Sequence, residues 1–282
     1  FVMKITLVMA QTTHLYIKIL LSICLLFCFP VMWAQKGKKT DKQKEAEFVI
    51  PEIFPDPIAK KAKPDRHPGT LEMPMLALKS AGEEVHGIDV SHYQGRVNWD
   101  EVAKDPNVHY VYLKATEGVK MVDDTYAYNF RECKRVGLKV GSYLFFRPNL
   151  SAREQFKLFV SKVDTKSQDL LPLIDAEVIK GVSVRLFQRR LLELCDLLEK
   201  EYGKKPIIYT GRNFYNKHIY SNSRLRTYKY FIASYTFEEP VLSGDDDYLM
   251  WQYTATGRVK GIRGDVDQSR MMGKHSLAEI MY

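Results

Sequence analysis

An apolar run that ends in two carboxylates is the part of this sequence best suited to chemistry. Residues 170–178 read Leu-Leu-Pro-Leu-Ile-Asp-Ala-Glu-Val, so Asp175 and Glu177 are two positions apart. In an extended strand this spacing places both side chains on one face. Glycosidic bond hydrolysis uses such a pair, because one acid protonates the leaving oxygen while a second carboxylate supports the developing positive charge. The simpler alternative is that Asp175 caps the next turn and Glu177 is solvated.

Three more acidic residues stand at the ends of other short strand-like runs. Asp89 lies in Gly-Ile-Asp-Val, Glu117 in Lys-Ala-Thr-Glu-Gly, and Asp267 in Gly-Asp-Val-Asp. Catalytic groups of parallel α/β barrels lie at the carboxyl ends of the strands. We therefore expect these three acids to converge with Asp175 and Glu177 on one barrel mouth, where their repulsion is costly unless function requires it. Taken singly, each could be an ordinary loop carboxylate.

Aromatic and amide side chains follow the same placement. Aromatic rings stack on sugar rings, so four aromatic residues and one amide predict a carbohydrate groove: Tyr93, Tyr143, Tyr209, Trp251 and Gln252. Alternation along a strand also allows plain core packing, which we favour for Phe145 and Ile207. For Trp251 the core and the groove remain open alternatives.

These residues need a scaffold of alternating strands and helices. From Val85 onward, β-rich runs alternate with amphipathic stretches, a pattern typical of a parallel α/β architecture. Strands are predicted near 86–91, 108–114, 138–146, 170–176, 205–210, 228–234, 248–253 and 265–268. Helices are predicted near 99–105, 124–136, 151–163, 183–202 and 213–219. Because helices run out after the sixth strand, we predict a modified TIM-like barrel with eight strands and about five helices.

The first part of the chain has a different composition. Residues 1–34 place a lysine before an apolar run and a small residue, which predicts a signal peptide or, if it is not cleaved, a membrane anchor. Residues 35–84 are rich in Lys and Pro and predict a linker, which leaves residues 85–282 as the catalytic domain. We therefore expect an exported protein of the cell envelope or the extracellular space.

Net charge and cysteine content bear on which partners, disulfides and metals we expect. The chain of 282 residues has a net charge of +8, which suits an anionic wall, a membrane surface or nucleic acid equally well. Cys133 and Cys195 fall in helical patterns, where a small buried hydrophobe is expected and a disulfide stays open. Without a metal-ligand spacing of His or Cys we predict no metal and no cofactor. We also predict no nucleic-acid partner and a monomer.

Together the motifs resemble glycoside hydrolase family 25, the lysozymes often called N-acetylmuramidases. The resemblance runs from about His86 to Met272 and rests on Gly87–Gly95, Lys114–Gly118, Gly141–Phe146, Leu173–Glu177, Pro206–Tyr209, Trp251–Tyr253 and Gly264–Asp267. It implies a modified barrel that hydrolyses the β-1,4 bond between N-acetylmuramic acid and N-acetylglucosamine in peptidoglycan. It also implies that Glu177 is the general acid and that Asp175 orients the acetamido group or stabilises charge. Asp89, Glu117 and Asp267 match other acidic positions of the family.

Two residues depart from the family pattern. Leu144 stands where a His usually follows the Tyr of the third-strand motif, which we expect to remove a polar contact and alter a subsite. Ser269 stands where the last motif usually has Asn. Two alternatives to a muramidase therefore stay open: a wall-binding protein that has lost turnover, and a glycosidase acting on another N-acetylated glycan such as chitin.

Overall fold

A computed structural model describes residues 84–282, which contain nine strands in one sheet. The predicted signal or anchor segment, and all of the predicted linker except Glu84, lie outside the described residues. The strands are β1 His86–Val90, β2 Tyr110–Glu117, β3 Met121–Val122, β4 Lys139–Phe145, β5 Leu173–Asp175, β6 Ile207–Gly211, β7 Lys229–Ala233, β8 Met250–Gly257 and β9 Val266–Met271.

Eight of these strands close into a barrel. The order is β1-β9-β8-β7-β6-β5-β4-β2, and pairing of β1 with β2 closes the ring, while the short β3 forms a hairpin with β2. Within this ring β9 departs from the parallel pattern, because it runs antiparallel to both β1 and β8. The eight residues between β8 and β9 are too few for the crossover that a parallel neighbour needs.

Five helices pack around the barrel as predicted. They are α1 Trp99–Val102, α2 Tyr126–Arg135, α3 Ala152–Lys162, α4 Val184–Tyr202 and the short α5 Arg212–Phe214, which continues into a π-helical turn at Tyr215–Ile219. Gly203 ends α4 in the left-handed conformation at φ 68°. Among the described residues no helix is both long and apolar enough to cross a membrane.

The sequence Ser151-Ala-Arg-Glu154 at the start of α3 predicts a capping box, of which the structure forms only half. The Ser151 hydroxyl accepts a hydrogen bond from the Glu154 backbone N–H at 3.3 Å, as the motif requires. The reciprocal bond from Glu154 to the cap is missing, because its carboxylate pairs with Lys157 at 2.9 Å. The helix therefore begins where predicted, but with one of the two predicted capping bonds.

Side chains alternate between two apolar layers along each strand. One layer fills the barrel and includes Tyr110, Tyr112, Leu173, Ile207 and Phe231, so the core role favoured for Ile207 is confirmed. The other layer lies between the barrel wall and the helices, and it includes Val111, Leu113, Ile174, Ile208 and Ile232 as well as Phe187 from α4. Apolar packing closes the barrel interior below its rim, so polar groups near that rim line an open mouth.

Both cysteines outside the first 34 residues lie in the helix-facing layer. Cys133 on α2 and Cys195 on α4 are fully buried and are free thiols. Burial raises the pKa of each thiol far above its ordinary value. They act as small core residues, as the sequence predicted.

Candidate active site

Acidic side chains from four strands meet at one rim of the barrel. Asp89 lies on β1, Glu117 ends β2, Asp175 ends β5 with Glu177 two residues later, and Asp267 lies on β9. Because β9 is antiparallel, its beginning reaches the rim at which the parallel strands end. Asp89 and Asp267 are direct partners in the pairing of β1 with β9.

Asp89 and Asp267 form the floor of this mouth. Asp89 accepts a hydrogen bond from the Gln252 side-chain amide at 3.0 Å, whereas its other oxygen is buried without a partner among the described residues. Burial, and then the charge of Asp267, raise the pKa of Asp89 well above its ordinary value. Burial, together with the charges of Glu177 and Asp265, raises the pKa of Asp267 to about 6. The floor therefore retains protons at mildly acidic pH.

Asp175 and Glu177 differ in their access to solvent. Asp175 is buried, and its Oδ1 atom has no hydrogen-bond partner within residues 84–282. The Glu177 side chain reaches solvent at the mouth, although surrounding protein still desolvates it. Burial raises the pKa of both carboxyls, and the charge of Glu177 raises that of Asp175 further. Both carboxyls therefore keep their protons to a higher pH than ordinary carboxyls do.

A bulge in β2 brings a lysine and a glutamate to the same side. The register shifts between Lys114 and Thr116, so Lys114 and Glu117 both point toward the mouth although they are three residues apart. The Lys114 ammonium donates to Glu117 at 2.6 Å, and Arg147 also donates to Glu117, its Nε at 2.9 Å. Burial alone would raise the pKa of Glu117, but these two cations outweigh it and lower that pKa. Glu117 is therefore an ionised anchor.

Lys114 and Arg147 also affect the catalytic candidates. Both cations act to lower the pKa of Glu177, and Lys114 lowers that of Asp175. Their charged groups lie 5.2 Å and 4.6 Å from the Phe145 ring centre, which makes Phe145 a buried platform beneath them. Sequence reasoning did not select either cation as a site residue. The spacing of Lys114 before Glu117 was a usable signal, whereas Arg147 lies beyond the strand end.

The Gln252 side chain connects the floor to two tyrosines. Its carbonyl oxygen accepts hydrogen bonds from the hydroxyls of Tyr209 at 2.9 Å and Tyr235 at 2.8 Å, while its amide donates to Asp89. These contacts hold the amide in one orientation. Tyr235 was missed because it lies two residues after β7, in a loop. Its place just beyond a strand end was the signal available.

The other predicted aromatic residues occupy three different environments. Tyr143 is half-buried and packs against the layer that fills the barrel, beneath the mouth. Tyr93 is 60% exposed, and its ring centre is 4.1 Å from that of His92. Trp251 is buried in the helix-facing layer and donates its indole N–H to the Ser234 carbonyl at 2.7 Å. Of the two alternatives for Trp251, this packing supports the core, although its neighbour Gln252 faces the mouth.

The two departures from the family pattern affect different layers. Leu144 is 1% exposed and packs in the helix-facing layer, so the expectation that it alters a subsite is wrong. Its neighbour Tyr143 takes the inward position, and alternation turns Leu144 away. The Ser269 hydroxyl lies 2.8 Å from the Tyr110 hydroxyl and donates to the Gly87 carbonyl at 3.3 Å. Ser269 thus belongs to the buried support below the acidic floor.

A barrel with several carboxylates gathered at its mouth is an arrangement suited to a carbohydrate-cleaving enzyme. Residues 88–262 match the model of Glycosyl hydrolases family 25, and the chain belongs to this family. It is therefore a glycoside hydrolase, a muramidase of the lysozyme type. The predicted family, the enzyme class and the modified eight-stranded barrel are confirmed.

Relatives with known sequences or structures share most of this domain. The chain is 35% identical over 196 residues to the uncharacterized protein YegX of Escherichia coli K12, which covers 66% of this chain and 69% of that protein. It is 32% identical over 201 residues to Lysozyme M1 of Streptomyces globisporus, covering 67% and 68% respectively. The crystal structure of a bacterial lysozyme from Streptomyces coelicolor is similar, with a TM-score of 0.63 and 30% identity over 70% of this chain and 95% of that one.

Proposed function

We propose that this muramidase hydrolyses the β-1,4 bond between N-acetylmuramic acid and N-acetylglucosamine in peptidoglycan. Family membership supports the reaction class, and the acidic mouth supports a substrate that is neutral along its sugar backbone. The observation that carries the proposal is the pair of Asp175 and Glu177, whose pKa values are both raised where β5 ends.

Glu177 is the general acid in this proposal. It reaches solvent, so its proton can be delivered to a leaving oxygen in the groove. Burial keeps its pKa above the ordinary value, which favours the protonated form needed before the bond breaks. As the bond breaks, the proton passes to the leaving sugar and Glu177 becomes a carboxylate.

Asp175 is the supporting carboxylate. In the active form Glu177 carries the proton, and Asp175 is ionised, a form that the charge of Lys114 favours. The Asp175 carboxylate then stabilises the positive charge that develops on the sugar or orients the acetamido group. Its unpartnered Oδ1 atom is free to accept a hydrogen bond from such a group. Asp89 and Asp267, together with Tyr93, Tyr143, Tyr209, Gln252 and the Glu117 anchor, would form the substrate-binding groove.

Replacing Glu177 with glutamine tests the assignment. Glu177→Gln nearly preserves shape but cannot donate the proton, so turnover of peptidoglycan should fall by at least about 100-fold. Glu201→Gln, an exposed glutamate at the end of α4, is the matched control and should retain full activity. Wild-type turnover in Glu177→Gln, with an unchanged fold by circular dichroism, would refute the role.

The products identify the bond. New reducing ends on N-acetylmuramic acid, measured by reduction and mass spectrometry, are the expected result. Reducing ends on N-acetylglucosamine would contradict the proposed bond. Faster cleavage of chitin oligosaccharides than of muropeptides would instead indicate a different N-acetylated substrate.

We further propose that the enzyme acts outside the cytoplasm, as its substrate requires, and that it is a monomer. Residues 1–34 would direct export and would then be cleaved or would remain as an anchor. Mass spectrometry of the mature protein should find a new N-terminus near Gln35 if cleavage occurs. Sedimentation velocity should give the mass of one chain.

A further inference from the structure

A cleft of about 680 Å³ runs along α4, and its lining is completed by Arg153 of α3 and by Asn222 and Arg224. Its lining has an excess of positive charge. The cationic residues are Arg153, Arg185, Arg189, Lys200 and Arg224, and the acidic residues are Glu193 and Asp196. Asp196 already pairs with Arg224, so the end of the cleft formed by the other three arginines is left strongly basic.

Two of these arginines stand where a helix disfavours positive charge. Arg153 and Arg185 occupy the second positions of α3 and α4, and Arg189 follows one turn later on α4. The amino end of a helix carries partial positive charge, so cations there are destabilising and anions are favoured. α3 has Glu154 in its first turn, whereas α4 has no acidic residue there to compensate. An anionic ligand at this end would relieve the repulsion.

Arginines elsewhere on the surface are commonly paired. Arg135 contacts Asp100 at 2.9 Å, and Arg258 contacts Asp265 at 2.8 Å. Within residues 84–282, Arg153, Arg185 and Arg189 have no carboxylate within ion-pair distance. Their guanidinium groups are therefore available to bind carboxylates from outside the protein.

The basic end of the cleft lies at the same end of the barrel as the acidic mouth. α3 follows β4 and α4 follows β5, so both helices begin at the rim where Phe145 and Asp175 end their strands. The Arg190 side chain donates to the Pro148 carbonyl, which ties α4 to the segment that carries Arg147. A group attached to a sugar in the mouth would leave the barrel at this same end, beside the segment that Arg190 holds.

We propose that this cleft binds the acidic peptides carried by muramic acid in peptidoglycan. The inference rests on the proposed function, since it requires that glycan strand in the mouth. An extended peptide of four or five residues spans about 13–18 Å, and α4 rises about 22 Å from Arg185 to Lys200. Glu193 and Asp196 would repel a continuous polyanion but suit a peptide that carries amino as well as carboxyl groups.

Kinetics on matched substrates test this role. Glycan strands with their peptides and strands from which an amidase has removed them would be compared, using the full-length protein. For Arg153→Gln/Arg185→Gln/Arg189→Gln, KM on peptide-bearing strands should rise about five- to tenfold at low salt, with kcat nearly unchanged. KM on peptide-free strands should not change. Amidation of the peptide carboxyls should raise the wild-type KM to the value of the variant.

The control removes three cations from the opposite end of the barrel. Lys139→Gln/Lys162→Gln/Lys166→Gln should behave as the wild type on both substrates. A purely structural role of the arginines would lower the unfolding temperature. The dipole argument instead predicts an equal or higher temperature for the arginine variant.

Equal KM changes on both substrates, or no change on either, would overturn the role of the cleft. The peptide-free strands report the proposed function separately, because their cleavage does not depend on the cleft. If neither glycan substrate were cleaved, calorimetric titration with the released peptides would still test whether the cleft binds them. Weaker binding to the arginine variant than to wild type supports the cleft, and equal binding rejects it.

Discussion

Asp89 and Asp267 stand directly opposite each other where β1 pairs with the antiparallel β9. Two carboxylates in this relationship cannot both ionise in a desolvated site without a large cost. Burial, and then the charge of Asp267, raise the pKa of Asp89, while burial with the charges of Glu177 and Asp265 raises the pKa of Asp267 to about 6. At neutral pH the folded protein bears this cost, which the unfolded chain avoids because its carboxylates are hydrated.

Removing one of these charges should therefore stabilise the protein at neutral pH. An acid whose folded pKa is raised is protonated in the folded state while it is ionised in the unfolded state, so stability falls as pH rises from 3.8 to about 6. Asp267→Asn should raise the free energy of unfolding by about 1–3 kcal/mol at pH 7. The gain should disappear below about pH 4. Urea unfolding at both pH values measures it. Asp124→Asn, at an exposed aspartate that does not contribute to the pKa shift of Asp267, is the control and should change little.

Replacing Lys114 should shift the pH dependence of activity. Lys114 lowers the pKa of both Asp175 and Glu177, so Lys114→Gln raises both. Asp175, which must be ionised, then loses its proton only at higher pH. Glu177, which must be protonated, keeps its proton to higher pH. Both limbs of the kcat/KM profile should move upward by about one pH unit. Lys120→Gln removes an exposed positive charge nearby and should leave the profile in place. An unmoved profile in Lys114→Gln would show that this cation does not tune the pair.

The Gln252 amide should contribute to both stability and catalysis. Gln252→Met leaves Asp89 and the hydroxyls of Tyr209 and Tyr235 without their shared partner. We expect a loss of about 2–3 kcal/mol in the free energy of unfolding and a fall in kcat of at least about tenfold. Gln268→Met on β9 makes the same chemical change away from this network. If both variants behaved alike in kinetics and unfolding, the network would have no special role.

Restoring the usual family residue at position 144 should harm the protein. Leu144 is enclosed by the helix-facing layer, so Leu144→His buries a polar ring without a partner. The free energy of unfolding should fall by about 2–4 kcal/mol, while kcat/KM of the folded protein stays within about twofold. Leu144→Met preserves volume and should cost less than about 1.5 kcal/mol. A gain in activity with histidine would contradict the outward orientation.

Alternation along strands was enough to predict the elements but not which face of each strand lines the barrel. Trp251 and Gln252 are neighbours, and the sequence supports a groove role for either. The structure turns Gln252 inward and Trp251 outward because Trp251 lies between Ile232 and Arg270 in the barrel wall. The same alternation turns Tyr143 toward the barrel interior and Leu144 toward the helices.

Irregular geometry and loops explain what the sequence could not predict. Strict alternation of side chains along a strand does not predict the bulge beside Ala115. This bulge brings Lys114 and Glu117 to one side. Arg147 and Tyr235 lie beyond strand ends, where tertiary packing determines direction. The antiparallel course of β9 follows from its short connection to β8. Strand ends predicted from sequence are too imprecise to distinguish that connection from a longer loop.

The antiparallel β9 also affects the order in which the site is assembled. It is the last barrel strand to be synthesised, and it carries Asp267 while pairing with both β1 and β8. A nascent chain that has reached only β8 lacks this acid and cannot close the ring. The acidic mouth is therefore completed only after β9 has been synthesised, so chains truncated before β9 would not possess it.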